Sequence, residues 1–217
     1  MNKYDLVIFD LDGTLMDTSE GIINCYNYTA KTYNKKELEK EKFKGIIGCP
    51  LSTGFKDNYN MNDEEVKGAI KKYRERYAEK GIYEASTYDG IPQLLKKMKD
   101  KGYKTAVATL KLEEFAKKML ADKNLAQYID VIYGTNKEDK YEKVDLVNKA
   151  METFNISKEK TALIGDSKYD AIGAKEAGVD FIGVTYGLGF NSVESIESGY
   201  YTNYATKVED IEKSIFS

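Results

Sequence analysis

The chain has 217 residues, with 33 Lys+Arg against 36 Asp+Glu for a net charge of −3, two cysteines and no histidine. That length suits one substantial core with room for an inserted subdomain, and the near balance of charge lacks the basic excess of a non-specific nucleic-acid binder. The missing histidine excludes histidine general bases, phosphohistidine intermediates, Ser-His-Asp catalysis and histidine-ligated metals, so any chemistry must run on carboxylates, hydroxyls, lysines and a hard cation.

In chain order, Asp5 to Phe9 reads as a buried strand that runs into Asp10, Asp12, Gly13 and Thr14. From Met16 to Ser86 the pattern is helical without interposed apolar strands. Asp17 with Glu20 predicts a capping box, and Ile22, Ile23, Tyr26, Ala30 and Tyr33 recur at helical spacing. Asn62 with Glu65 predicts a second helix start before Val66, Ile70, Tyr73 and Tyr77, with Gly81 as a stop. The tyrosine stripes read as core packing. Beyond Ile91 short apolar runs alternate with amphipathic segments, the pattern of a parallel α/β sheet. Strands are predicted at Tyr103 to Ala108, Ile129 to Tyr133, Thr161 to Ile164 and Phe181 to Thr185. Helices are predicted after Pro92, from near Tyr141 and from near Lys168, with Gly102 and Gly178 as stops. The expected architecture is a Rossmann-like parallel α/β core, residues 1–15 and 87–217, with an inserted helical subdomain at residues 16–86.

Cys25 and Cys49 form no CxxC pair, and no run of about 18 apolar residues occurs. The N-terminus enters charged, strand-like sequence at once. A soluble cytoplasmic protein is expected, with no membrane or nucleic-acid partner. Monomer and homodimer both remain open, because no heptad or interface pattern appears.

Ligands of a parallel sheet bind at the carboxyl ends of its strands. There this sequence places Asp10, Asp12 and Thr14 after the first strand, Thr109 and Lys111 after the second, and Gly165, Asp166 and Asp170 after the fourth, with Lys143 early in the preceding helix. Clustered carboxylates must take up protons or recruit a cation. An all-oxygen site suits Mg²⁺, which is usually shared between one or two carboxylates and a substrate phosphate. Asp10 is then the candidate nucleophile, Asp12 the acid and base, and Gly13 the residue that permits the tight turn between them.

DLDGTL at Asp10 to Leu15, Thr109 in VATLK, Lys143, and GDSKYD at Gly165 to Asp170 resemble, in order over about 160 residues, the four motifs of the haloacid dehalogenase-like hydrolases. The small helical insertion resembles the cap of their phosphoglycolate phosphatase-like branch. The resemblance implies a phosphatase of small phosphate esters with Asp10 as nucleophile and Asp12 as general acid/base. Mg²⁺ would be held by the Asp10 side chain, the Asp12 carbonyl and Asp166, with Asp170 as an outer contact. Thr109 and Lys143 would hold phosphate, and Gly13 and Thr14 would lie against the substrate. Leu110 departs from the family, where asparagine or serine often follows the motif hydroxyl.

Specificity is expected in the cap. The loop from Gly45 to Leu51, with Gly48, resembles the cap loop that faces the active site, and its plain reading is a helix connection. Arg74 and Arg76 are the only arginines; either, Arg74 above all, would suit a substrate carboxylate, and solvent exposure is the simpler reading. Lys111 reads as a loop or cap contact, and the YGLGF loop from Tyr186 to Phe190 as a border of the site. Phosphoglycolate and a nucleoside 5′-monophosphate are the expected kinds of substrate. A sugar phosphomutase would use the same residues. A dehalogenase would gain nothing from Asp12, and a phospho-accepting switch would need no insertion of roughly 70 residues over its site.

Overall fold

The computed structural model describes residues 3–138, 140–197 and 199–216; residues 1, 2, 139, 198 and 217 of the expected core lie outside that description. Along the chain, β1 (Leu6–Phe9) and β2 (Met16–Asp17) precede three helices, α1 (Ser19–Thr32), α2 (Leu51–Tyr59) and α3 (Asp63–Arg76), and the chain returns through β3 (Ser86–Thr87). Alternation follows: α4 (Ile91–Asp100), β4 (Lys104–Leu112), α5 (Glu113–Asp122), β5 (Val131–Thr135), α6 (Lys143–Phe154), β6 (Thr161–Gly165), α7 (Lys168–Ala177) and β7 (Asp180–Val184). The chain ends with β8 (Asn203–Ala205) and α8 (Val208–Phe216).

All four side chains of β1 are fully buried, Val7 and Phe9 in one apolar cluster, Leu6 and Ile8 in the other. Successive strand residues point to opposite faces, so a strand covered on both sides must be apolar throughout. β1 accordingly lies at the centre of a six-stranded parallel sheet of order β5-β4-β1-β6-β7-β8. Leu94 of α4, Met119 of α5 and Ile211 of α8 join the Val7 cluster, while Leu146 of α6 and Ala174 of α7 join the Leu6 cluster. The fold is the expected doubly wound, Rossmann-like α/β core. No helix among the described residues is long and apolar enough to cross a membrane.

The helical segment leaves and re-enters the core through an antiparallel ribbon that pairs Met16 with Thr87 and Asp17 with Ser86. Its interior is aromatic, as the tyrosine stripes predict. The Tyr26 ring lies 4.6 Å from Phe55, 5.0 Å from Tyr73 and 5.8 Å from Phe43, and these residues share one cluster with Val7 and Phe9. The Asn62–Glu65 capping box forms, with Asn62 accepting from the Glu64 and Glu65 amides at 3.0 Å. The Asp17–Glu20 box does not: Asp17 is held extended in the ribbon, the helix starts at Ser19, and Asp17 accepts only from the Ser19 amide. α3 passes into a wide π-helical turn, Tyr77–Gly81, before the chain returns.

β4 runs on to Leu112, past the expected end at Ala108, with a bulge between Thr109 and Leu112. The β2–β3 ribbon, β8 and α8 have no counterpart in the sequence reading.

Gly21 donates to the Glu84 carbonyl at 3.1 Å, and a Cβ there would stand 2.2 Å from the Gly81 carbonyl oxygen. Gly21→Ala should therefore destabilise the protein by about 1–3 kcal/mol, the usual cost of overpacking a rigid contact. Urea unfolding should show a lower midpoint at unchanged slope.

Candidate active site

The site grows from the end of β1. Asp10 donates its amide to the Ile164 carbonyl of β6 at 2.8 Å, and the chain then folds back, with the Gly13 amide bonded to Met16 and the Leu15 and Met16 amides to Leu11. Gly13 sits at φ +83°, and a Cβ there would lie 2.1 Å from an Asp166 carboxylate oxygen. Both the left-handed backbone and the close approach demand glycine. Its part is thus to admit Asp166 beside the turn.

Lys143, the first residue of α6, is buried and donates to Asp10 Oδ1 at 2.6 Å and the Ala108 carbonyl at 2.8 Å, with Asp170 Oδ1 2.7 Å away. The Glu142–Asp145 capping box fixes the start of that helix. Ser167 and Asp170 form another box at the start of α7, where Asp170 Oδ2 accepts from the Ser167 amide and hydroxyl at 3.0 and 2.6 Å. Lys143 is thereby singled out from Lys137 and Lys140, and Asp170 is committed on both oxygens.

Asp166 Oδ2 accepts from the Leu188 and Gly189 amides at 2.7 and 2.8 Å, so the YGLGF loop orients this carboxylate. Among the described residues its buried Oδ1 has no hydrogen-bond partner. One oxygen from each of Asp10, Asp166 and Asp170 lies within 4.8 Å of the others. Burial pushes the Asp10 carboxyl up to about 7, with Lys143 pulling it back and Asp170 and Asp12 adding to the rise. Burial, then Asp170 and Asp10, raises Asp166 as well. Burial opposes the Lys143 charge, yet Asp10 and Asp170 together hold its proton above the ordinary lysine range. The cluster is short of positive charge, and an all-oxygen set with an orphaned carboxylate oxygen fits a hard divalent cation such as Mg²⁺.

The Asp12 carboxylate stands outside this cluster and meets Lys111, Nζ to Oδ1 3.0 Å, with both side chains almost fully buried. The Lys111 ammonium also lies 4.4 Å from the centroid of the Tyr77 ring, which belongs to the helical segment. The sequence reading of Lys111 as a loop or cap contact misses its ion pair with Asp12. The bulge that ends regular pairing of β4 carries Lys111 inward, and the two-residue spacing from Thr109 was the available signal.

A cavity of about 70 Å³ is lined on the core side by Asp10, Asp12, Thr109, Lys111, Lys143 and Asp170. Gly48 and Arg74 line it from the helical segment. The loop from Gly45 to Leu51 does face the site, and a Cβ on Gly48 would stand 3.3 Å from the Ser167 Cβ. Gly13, Thr14 and Asp166 are not part of that lining. Thr14 turns its carbonyl to the Tyr186 hydroxyl at 2.9 Å. Arg74 donates to the Lys137 carbonyl at 2.8 Å, tying α3 to the β5–α6 loop. Arg76 forks onto Glu84 at 3.0 and 3.1 Å and serves the helical segment itself.

A model of the haloacid dehalogenase-like hydrolases matches residues 7–184. A 5′-nucleotidase of Pseudomonas aeruginosa is 31% identical over 203 residues, 93% of this chain and 91% of that protein. The pyrophosphatase PpaX of Halalkalibacterium halodurans is 30% identical, with 96% and 97% covered. The crystal structure of a predicted phosphatase from Clostridium acetobutylicum is similar at a TM-score of 0.91 and 37% identity, over 97% of each chain.

A carboxyl raised from 3.8 to about 7 binds its proton more tightly folded than unfolded. Its stabilising contribution is present below the unfolded value and is lost as pH rises through the folded one. With divalent ions chelated, Asp10→Asn should melt above the parent at pH 8, by about 2–4 °C per kcal/mol of relief, and the gain should shrink toward pH 4. Thermal unfolding across that range checks it; a gain that does not vary with pH contradicts it.

Proposed function

The chain belongs to the haloacid dehalogenase-like hydrolase family, and on that premise we propose a Mg²⁺-dependent phosphomonoesterase that works through an aspartyl-phosphate on Asp10. The observation that carries this reading is the Asp10 carboxylate, buried at the end of the central strand and held by Lys143 at 2.6 Å. Such an anchor fixes one carboxylate oxygen and orients the group for in-line attack. Asp12 faces the same cavity two residues on.

In the first step an Asp10 oxygen bonds to phosphorus while the ester P–O bond breaks, and Asp12 gives its proton to the departing alkoxide. In the second, Asp12 takes a proton from the attacking water, the Asp10–phosphorus bond breaks, and inorganic phosphate leaves. Thr109 offers a donor to the phosphoryl oxygens, and Lys143 stands beside Asp10 as a fixed positive charge. Mg²⁺, held by Asp10, Asp166 and the Asp12 carbonyl with Asp170 behind, would supply positive charge against the phosphate. Lys111 keeps Asp12 turned into the cavity.

The helical segment, residues 16–86, acts as the cap, with the β2–β3 ribbon as its junction to the core. The helical segment lines the same cavity as Asp10, and its movement would admit substrate. A small phosphorylated metabolite is the substrate kind, and of the two kinds the sequence suggests, phosphoglycolate and a nucleoside 5′-monophosphate, the relative named a 5′-nucleotidase supports the second. The free cysteines Cys25 and Cys49 suit the reducing cytoplasm.

With Mg²⁺ present, p-nitrophenyl phosphate should be hydrolysed, and Asp10→Asn should abolish turnover. Asp12→Asn should slow alkyl phosphates by about 10²–10⁴-fold, the range for a lost acid/base. With p-nitrophenyl phosphate the first step needs no acid, so a stopped-flow trace of this variant should show a burst of p-nitrophenol before slow turnover. Full activity in Asp10→Asn would sink the assignment, whatever the substrate. Re-phosphorylation of a sugar with little phosphate release would instead mark a phosphomutase.

A further inference from the structure

Resting on that phosphatase reading, we propose that the site selects phosphate esters with an uncharged, largely apolar leaving group and disfavours those whose leaving group carries a carboxylate. Two independent features carry this: the wall that faces Asp10, and the commitment of every cation in the cavity lining.

The wall is made by Ile22, Ile46, Ile47, Tyr73, Tyr77 and Phe115. All but Phe115 come from the helical segment, and those five are buried. Ile46 and Ile47 are delivered by a loop that bends at Gly45 and Gly48, at φ +95° and +90°. The ring of Tyr73 stacks on that of Tyr77 at 5.7 Å, and Tyr77 lies 5.3 Å from Phe115, so the aromatic part of the wall is one packed row. An apolar leaving group would gain from burial against it. A carboxylate would lose its hydration there without replacement.

Three cations line the cavity: Lys143, Lys111 and Arg74. Lys143 is shared among Asp10, Asp170 and the Ala108 carbonyl. Lys111 is paired with Asp12 and covered by the Tyr77 ring. Arg74 is drawn to the Lys137 carbonyl on the core, away from a bidentate clamp on substrate. In the cluster around Asp10, the three carboxylates Asp10, Asp166 and Asp170 against the one cation Lys143 leave two negatives. A divalent ion offsets those two, and the phosphate dianion is then already the surplus. A second anionic group on the same substrate would meet, among the described lining, only cations that already hold a partner.

The test compares kcat/KM for matched esters on the Mg²⁺-loaded wild-type protein: ethyl phosphate against 2-phosphoglycolate, and phenyl phosphate against 4-carboxyphenyl phosphate. The neutral member should win each pair by at least about tenfold, a difference of 1.4 kcal/mol. Equal rates, or a preference for the carboxylate member in either pair, would overturn the proposal while leaving the phosphatase reading intact. Release of phosphate from none of the four would remove both. Ile47→Lys, confirmed folded by its melting curve, places a cation in the wall and should narrow the ratio in both pairs; an unchanged ratio would show that the wall does not set the selection.

Discussion

One buried ammonium organises the centre of this protein. Lys143 reaches from the start of α6 to the end of β1 and touches Asp10, Asp170 and the Ala108 carbonyl together. Three structural elements, β1, β4 and α7, thereby meet on one side chain. A carboxylate pair this deep would repel and take up protons without it, since burial alone already pushes Asp10 toward neutrality. Even with Lys143 in place, Asp166 keeps a buried oxygen with no hydrogen-bond partner among the described residues, which suits a hard cation. Structure and chemistry share a cause here: the same shortage of cations that pushes Asp10 toward neutrality would draw in a hard metal.

Around that centre the backbone does much of the positioning. Gly13, Leu188 and Gly189 contain no functional side chain, yet the first admits Asp166 and the other two hold its oxygen through their amides. Gly173 works similarly, because a Cβ there would stand 2.5 Å from Lys143 Cγ and block the path of that side chain between α6 and α7. The helical segment joins the core through specific contacts as well as packing. Tyr77 covers Lys111, Gly48 approaches Ser167, and Arg74 bonds to the Lys137 carbonyl. Each contact joins the helical segment to the core, so the two sides of the cavity are registered against one another.

Much of this was legible beforehand, and particular residues show why. Leu6 to Phe9 is apolar without interruption because both faces of a central parallel strand are covered, and Asp10 must then fall at its carboxyl end. Asn62 and Glu65 announce their helix because a capping box is local, needing only residues three apart. Asp17 and Glu20 carry the same spacing and fail, because the ribbon pairing of Asp17 with Ser86 is a long-range contact that overrides the local preference. β8, three residues long, has too few positions for a periodic signal. Lys111 was underestimated because a β-bulge has no reliable composition of its own, and its partner Asp12 is distant in sequence.

The sequence by itself therefore determined the five longer strands of the parallel core, the helical run after the first of them and the set of acidic, hydroxyl and lysine residues at one sheet edge. These follow from periodicity, strand ends and motif spacing, which are properties of neighbouring residues. Only the tertiary structure decided which groups pair: Lys143 with Asp10 and Asp170, Lys111 with Asp12, Asp166 with the amides of a loop more than twenty residues away, and Arg74 with the Lys137 carbonyl of the core. Pairing between distant charged groups depends on ångström-scale approach and on the exclusion of water, and neither quantity is written in the spacing of residues along the chain.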